Sequence, residues 1–290
     1  MKPVVLEQLV NAVSYSMLLF LLAVGLSVTL GLLRVVNLTH GSYYLLGGYV
    51  GLSVVRWTHN FLLATGAGAA TTAALAALMF WGLLRRFLGQ ESAQVLITFG
   101  SLFIVADGCL AIWGGQTYTI PPPPGLSSSL LLAGAHIPTY LLLLIAVGAT
   151  GAAAVYWVFE RTRVGAMVRA AVDDRELAEA CGVDVRALSF GVFTLGGAIA
   201  GLAGVLGGPV IGVYPGADLA VLLLALVIVV VGGAGSMLGA LLGSLVIGFV
   251  TTYGSLYFPE IASGIVYLAM VLVILFRPQG LVPARGLDQT

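Results

Sequence analysis

Between Glu7 and Arg34 the chain runs for 26 residues without a charged side chain, and comparable runs recur to its end. An uncharged apolar stretch of about 18 residues or more is long enough to cross the hydrocarbon of a bilayer as a helix. The composition agrees: 8% of the residues are charged and 60% hydrophobic, where soluble domains carry roughly 25% charge. So few charges cannot cover a soluble surface. The chain is therefore read as an integral membrane protein that crosses the bilayer many times. Its formal net charge of zero matters less than where the charges stand.

The uncharged runs place spans at residues 10–33, 61–84, 94–113, 139–159, 188–210, 219–231, 237–253 and 261–276. The first is too long for the apolar part of a signal peptide and is read as a retained helix. Residues 41–55 are apolar on average but carry Gly41, Gly47, Gly48 and Gly51, and are read as a short or broken pass. The expected fold is all-α: a polytopic transmembrane bundle of eight or nine passes, some broken or short. Residues 114–138, with four consecutive prolines, read as an external loop, because proline ends a helix. "GGAGS" at 232–236 reads as a tight break.

Basic residues near span ends mark the cytoplasmic side. Arg34, Arg85 with Arg86, the stretch from Arg161 to Arg186, and Arg277 with Arg285 can share one side. That requires residues 41–55 to cross and places the N-terminus outside, with Lys2 and Arg56 as exceptions.

Catalytic constellations are missing from the sequence. His40, His59 and His136 lie in separate segments, and Cys109 and Cys181 have no companions at metal-ligand spacing. No metal or catalytic site is expected. "GGAGSMLG" lacks the Lys-Ser/Thr ending of a phosphate loop, so ATP, if used, is bound elsewhere. Nothing points to nucleic acid.

The charges concentrate instead in "RTRVGAMVRAAVDDRELAEACGVDVRA", residues 161–187, which holds ten of the 24 charged side chains. Residues 164–181 suit one helix, with Gly182 as the residue that ends it. Val164, Met167, Val168, Ala171, Ala178 and Cys181 would form one apolar or small face, and Arg169, Asp173, Glu176 and Glu179 the remainder. Such a helix could lie on the membrane, but a surface helix on anionic lipid prefers a mainly basic face. Four acids in seven residues, Asp173, Asp174, Glu176 and Glu179, favour docking to a cytoplasmic protein.

Two features inside the spans bear on function. Gly197, Gly201 and Gly204 share a helical face, which serves either close helix packing or a permeation path. Asp107 stands in an otherwise apolar span, where a charge costs at least about 2.5–3.5 kcal/mol. It marks a polar point on a solute path, a packing contact, or a position nearer the outer surface than the span suggests. Asn37, Thr39, His40 and Ser42 cluster after Arg34, at the start of the glycine-rich segment, as path candidates or as capping and hydrogen-bonding residues.

"GLLRVVNLTHGSYYLLGGYVG" (31–51), the charged stretch 161–185, "VVVGGAGSMLGALLGSLVIG" (229–248) and "FRPQGL" (276–281) stand in one order across nearly the whole chain. Together they resemble the permease subunits of bacterial branched-chain amino acid ABC importers, of the LivH type. The resemblance implies one transmembrane permease domain over residues 1–290, with a cytoplasmic coupling loop at 160–187 and an external loop at 114–138. It implies a non-catalytic subunit of the inner membrane, working with a second permease (M-type or another copy), two cytoplasmic ATPases that use ATP and Mg, and a periplasmic binding protein. Arg163, Val164, Gly165, Met167, Arg169, Asp173, Asp174, Glu176, Glu179 and Gly182 would couple it to the ATPase. The solute would be a branched-chain or related amino acid, with urea, short amides and small carboxylates as alternatives. A stand-alone carrier or channel is the reading of another class. It would call for more intramembrane ionisable groups and would leave the charged stretch without a purpose.

Overall fold

Uncharged runs become helices, and polar residues at their edges start and stop them. The computed structural model describes residues 2–33, 37–132 and 134–282; Arg34 and Arg285 lie outside the described residues. The helices are α1 (Lys2–Leu33), α2 (His40–Thr58), α3 (Phe61–Gly82), α4 (Glu91–Trp113), α5 (Thr139–Arg161), α6 (Arg163–Asp173), α7 (Arg175–Ala180), α8 (Val185–Gly207), α9 (Ala217–Gly232), α10 (Met237–Tyr257) and α11 (Ala262–Phe276). Asn60 starts α3 by accepting from the Leu63 N–H, and Ser236 starts α10 by accepting from Gly239, each satisfying a donor that the first helical turn leaves free. The break between α9 and α10 falls at the expected "GGAGS", where Gly233 and Gly235 have φ of 107° and 77°. Only glycine takes such angles easily.

Six helices, α1, α3, α4, α5, α8 and α10, contain stretches long and apolar enough to cross a bilayer. Helices α9 and α11 are apolar but span 16 and 15 residues.

The segment 41–55 is not broken. It belongs to α2, a continuous helix of 19 residues packed on α3, α4, α8 and α9. Its glycines are contact surfaces: a Cβ on Gly47 would stand 2.4 Å from the Cα of Gly201, and one on Gly41 would meet the backbone of Asp218. A Cβ on Gly204 would lie 2.0 Å from the Tyr44 carbonyl oxygen. In lipid, where no hydrophobic effect pulls helices together, such backbone approach is what packs them. The face of Gly197, Gly201 and Gly204 is thus closed by α2 and α3.

Contacts between helix ends sort the bundle into two ends. Leu32 of α1, Phe159 of α5 and Val185 of α8 form one apolar cluster with α6 and α7. Phe80, two turns from Arg86, packs on Phe190 and Phe193 near the start of α8. Beyond Arg277, the Leu281 and Val282 N–H groups donate to Val231 and Gly232 at the end of α9, and Gly31 of α1 abuts Gly235. The described arginine groups that were expected to share a side do lie at one end. The start of α1 lies at the other, where Glu7 accepts from the His136 N–H at 2.8 Å. There residues 114–138 form a hairpin, β1 (Ser129–Leu132) antiparallel to β2 (Ala135–Pro138). Arg56 stacks over Tyr118 in the same region, 4.8 Å from the ring centre.

Candidate functional site

The charged stretch is built as two helices, not the single one expected over 164–181. Asp174 breaks it: its side chain accepts from the Leu177 N–H at 3.0 Å and caps α7. Thr162 caps α6 through Gly165, and Asp184 caps α8 through Arg186 and Ala187. Asp and Thr compete with helical hydrogen bonding wherever they find an N-terminus to cap, so three helix starts follow within this stretch. Gly182 takes the predicted terminating role, with φ of 87° and its N–H donating to Glu179.

The buried side of α6 and α7 consists of Gly165, Val168, Ala171 and Ala178, seated on the ends of α1, α5 and α8. A Cβ on Gly165 would fall 2.1 Å from the Phe159 carbonyl oxygen, so the chain can double back here only at glycine. Arg169 donates to that same carbonyl and stands 3.7 Å from Glu160. Its role is to tie α6 to the end of α5, a helix C-terminus that favours a cation. Val164 and Met167 do not belong to the buried face, and Cys181 is exposed as well. Doubling back at Gly165 turns Val168 and Ala171 inward and leaves Val164 and Met167 outward. Val164, Met167 and Leu177 are 47%, 36% and 61% exposed, beside exposed Arg163, Asp173, Asp174, Glu176 and Glu179. The outward surface thus carries exposed apolar side chains beside charges of both signs.

The residues before α2 are buried and mostly occupied. The Thr39 hydroxyl donates to the Thr98 carbonyl of α4 at 2.9 Å, and Ser42 donates to the Thr39 carbonyl. His40 uses Nε2 to reach the Leu22 carbonyl of α1 at 2.7 Å, so that nitrogen carries the proton. Its Nδ1 and both side-chain amide atoms of Asn37 are buried without a hydrogen-bond partner. Thr39 and His40 therefore fasten the start of α2 to α4 and α1, and Ser42 closes its first turn on Thr39.

Asp107 faces away from the bundle: it is exposed on α4, which packs chiefly on α2 and on the 3-10 turn Leu84–Phe87. Its exposure speaks against the packing contact within this chain that the sequence allowed. A second acid inside the apolar region escaped the sequence reading. Asp218, in the first turn of α9, is 2% exposed. In the sequence it follows the run 208–216, rich in glycine and proline, and reads as the end of a loop. Nothing in the sequence pairs it with Gly41, against which its backbone lies.

The family model described as "Branched-chain amino acid transport system / permease component" matches residues 8–275. The high-affinity branched-chain amino acid transport system permease protein BraD of Pseudomonas aeruginosa is 25% identical, over 95% of both chains. LivH of Escherichia coli, a permease protein of the same description, is 26% identical over 95% of this chain and 94% of its own. A probable branched-chain amino acid transport permease protein LivH of Methanocaldococcus jannaschii is 25% identical over 91% and 89%. Among solved structures, PsaBC from Streptococcus pneumoniae in complex with a Fab shares the fold. Its TM-score is 0.53 at 15% identity, covering 93% of this chain and 90% of that one.

Proposed function

Since the chain belongs to the family of branched-chain amino acid transport permease components, a multi-pass, non-catalytic membrane subunit of an ABC importer, we propose a division of labour for its parts. Helices α6 and α7 seat in a cytoplasmic ATPase. Two such ATPases bind ATP and Mg, a second permease completes the translocation path, and a periplasmic binding protein delivers the solute. The solute is a branched-chain or related amino acid, in keeping with the transport systems to which the relatives belong.

One observation supports the docking role above the others. The pair α6–α7 turns Val164, Met167 and Leu177 outward among charges of both signs, while its inner face is fixed to the ends of α1, α5 and α8. A helix pair that merely lay on lipid would present cations around its apolar centre. A partner that pushes this face moves three long helices together. ATP then drives transport by binding one arrangement of the assembly more tightly than the other, which shifts the population between them.

Affinity purification in mild detergent tests the reading, with mass spectrometry of the co-purifying chains and leucine uptake by the reconstituted assembly. Recovery of ATPases and ATP-dependent leucine uptake is the expected result. A chain that purifies alone and carries leucine without ATP would be a stand-alone carrier. An ATP-dependent assembly that takes urea or a short amide and refuses leucine would keep the importer and overturn the solute.

A further inference from the structure

Asp107 stands on α4 six residues short of Trp113, the end of the helix, which is roughly 9 Å at about 1.5 Å per residue. Trp113 donates its indole N–H to Ser53 at 2.8 Å, as an aromatic ring anchored at the membrane boundary does. The carboxylate therefore lies inside the apolar layer, and an aspartate is too short to carry its charge back to water as lysine and arginine do. It is exposed, and among the described residues no cation pairs with it. Every other charged side chain in the six candidate spans lies within a turn of a span end.

Leu96, Gly100, Phe103, Asp107 and Leu110 follow one another at steps of four and three residues, and all are exposed. That is the seam one helix presents to another, and a single polar residue in such a seam sets the register of the pair. Gly100 has no atom of this chain within 4 Å of the place its Cβ would take, which leaves room for a neighbouring backbone. The opposite side of α4, with Gln94, Thr98 and Leu102, is the one buried inside this chain. The exposed side of α11, with Leu268, Leu272 and Leu275, carries no charge and suits lipid. A carboxylate in hydrocarbon is costly, and such groups face protein or a wet cavity. Lipid is thus the wrong cover for the seam on α4.

A second copy of this chain is a poor match for it. Among the described residues, no exposed lysine, arginine, histidine, asparagine or glutamine stands more than a turn from the end of α1–α5 or α8–α11. We infer that this seam is the surface covered by a second permease of different sequence, whose apposed helix sets a cation or an amide donor against the Asp107 carboxylate. The inference rests on the two-permease reading given above.

Cells carrying the complete transporter, with Phe103→p-benzoylphenylalanine or Leu268→p-benzoylphenylalanine in this chain, are irradiated, and the tagged chain is purified for mass spectrometry. From position 103 the adduct is a membrane helix of the companion permease, and from position 268 it is lipid. Adducts from position 103 to lipid, or to a second copy of this chain, overturn the inference. A companion permease that is recovered but crosslinks only elsewhere overturns the seam and leaves the importer reading intact. A wild-type chain that brings down no second permease overturns the two-permease reading, and the seam with it. A second measurement is retention of the partner in mild detergent. Asp107→Leu adds apolar area to the span and so favours insertion, yet it lowers the companion permease recovered with the tagged chain at least threefold. Asp107→Asn, which still hydrogen-bonds, keeps most of it. Recovery with Asp107→Leu equal to or above wild type means that no partner group meets the carboxylate, and the inference fails.

Discussion

Gly165 and Arg169 do one job from two sides: they hold α6 against the last turn of α5. The glycine admits the Phe159 carbonyl at a distance no Cβ would allow, and the arginine donates to the same oxygen. Gly165→Val has to push the two backbones apart, at a cost of about 1–3 kcal/mol or more. The displacement goes into the docking surface, so ATP-dependent uptake falls at least tenfold while the chain still reaches the membrane. Arg169 also approaches Glu160, but both side chains are well exposed, at 41% and 39%. Such a pair contributes about 0–1 kcal/mol, against about 1.5–3 kcal/mol for a hydrogen bond from a charged donor. Glu160→Gln is therefore close to neutral in a thermal-unfolding assay in detergent, and Arg169→Gln lowers the midpoint clearly. Equal effects of the two would show that the ion pair, not the carbonyl, holds Arg169. Single residues were unevenly legible in the sequence. Gly182 was readable because a glycine after the last helical turn has one common use. Asp174 was not, because an Asp after an Asp in a helical pattern reads equally as a surface charge or as a cap. Only the side chain's approach to the Leu177 N–H decides it.

Among the elements, α8 carries two kinds of glycine, and their contrast tests how the bundle is packed. A Cβ on Gly204 meets the backbone of Tyr44 and Gly48, whereas one on Gly191 meets nothing within 4 Å. Gly204→Ala therefore destabilises by about 1–3 kcal/mol through overpacking. Gly191→Ala gains up to about 1 kcal/mol of helix propensity and is neutral or stabilising. Thermal midpoints of the two purified variants check this, and a Gly204→Ala as stable as wild type would mean that α2 and α8 are not in contact. Most helix boundaries were legible because charges and capping residues flank the uncharged runs. Helix α2 was misread because four glycines look like a break until the partner is known. Gly47 and Gly48 are shaped for Gly201 and Gly204, more than 150 residues away, and no local pattern records that pairing. The outward turn of Val164 and Met167 was hidden for the same reason: helical periodicity finds a face, but the doubling back at Gly165 chooses which residues are covered.

For the molecule as a whole, the described arginine-bearing helix ends and α6 and α7 lie at one end of the bundle, and the hairpin and the start of α1 at the other. The two native cysteines report on this arrangement, since Cys109 is buried and Cys181 exposed. In intact cells a membrane-impermeant maleimide leaves the chain unlabelled, and opening the cells labels Cys181 alone. Labelling of intact cells would invert the orientation and exclude a cytoplasmic ATPase from α6 and α7. The distribution of arginines was enough to read this from the sequence, because insertion obeys loop charge regardless of how the helices later pack.

The crossing of α1 and α8 has a mechanical side. Gly25 and Gly196 bring the two backbones together, with a Cβ on Gly25 only 3.1 Å from the Cα of Gly196. Gly196 stands 11 residues from Val185 and 11 from Gly207, the two ends of α8. At about 1.5 Å per residue, each arm is roughly 16 Å long. The far arm does not swing free, because Gly197, Gly201 and Gly204 hold it against α3 and α2, so a displacement that enters α8 at Val185 is shared with those two helices.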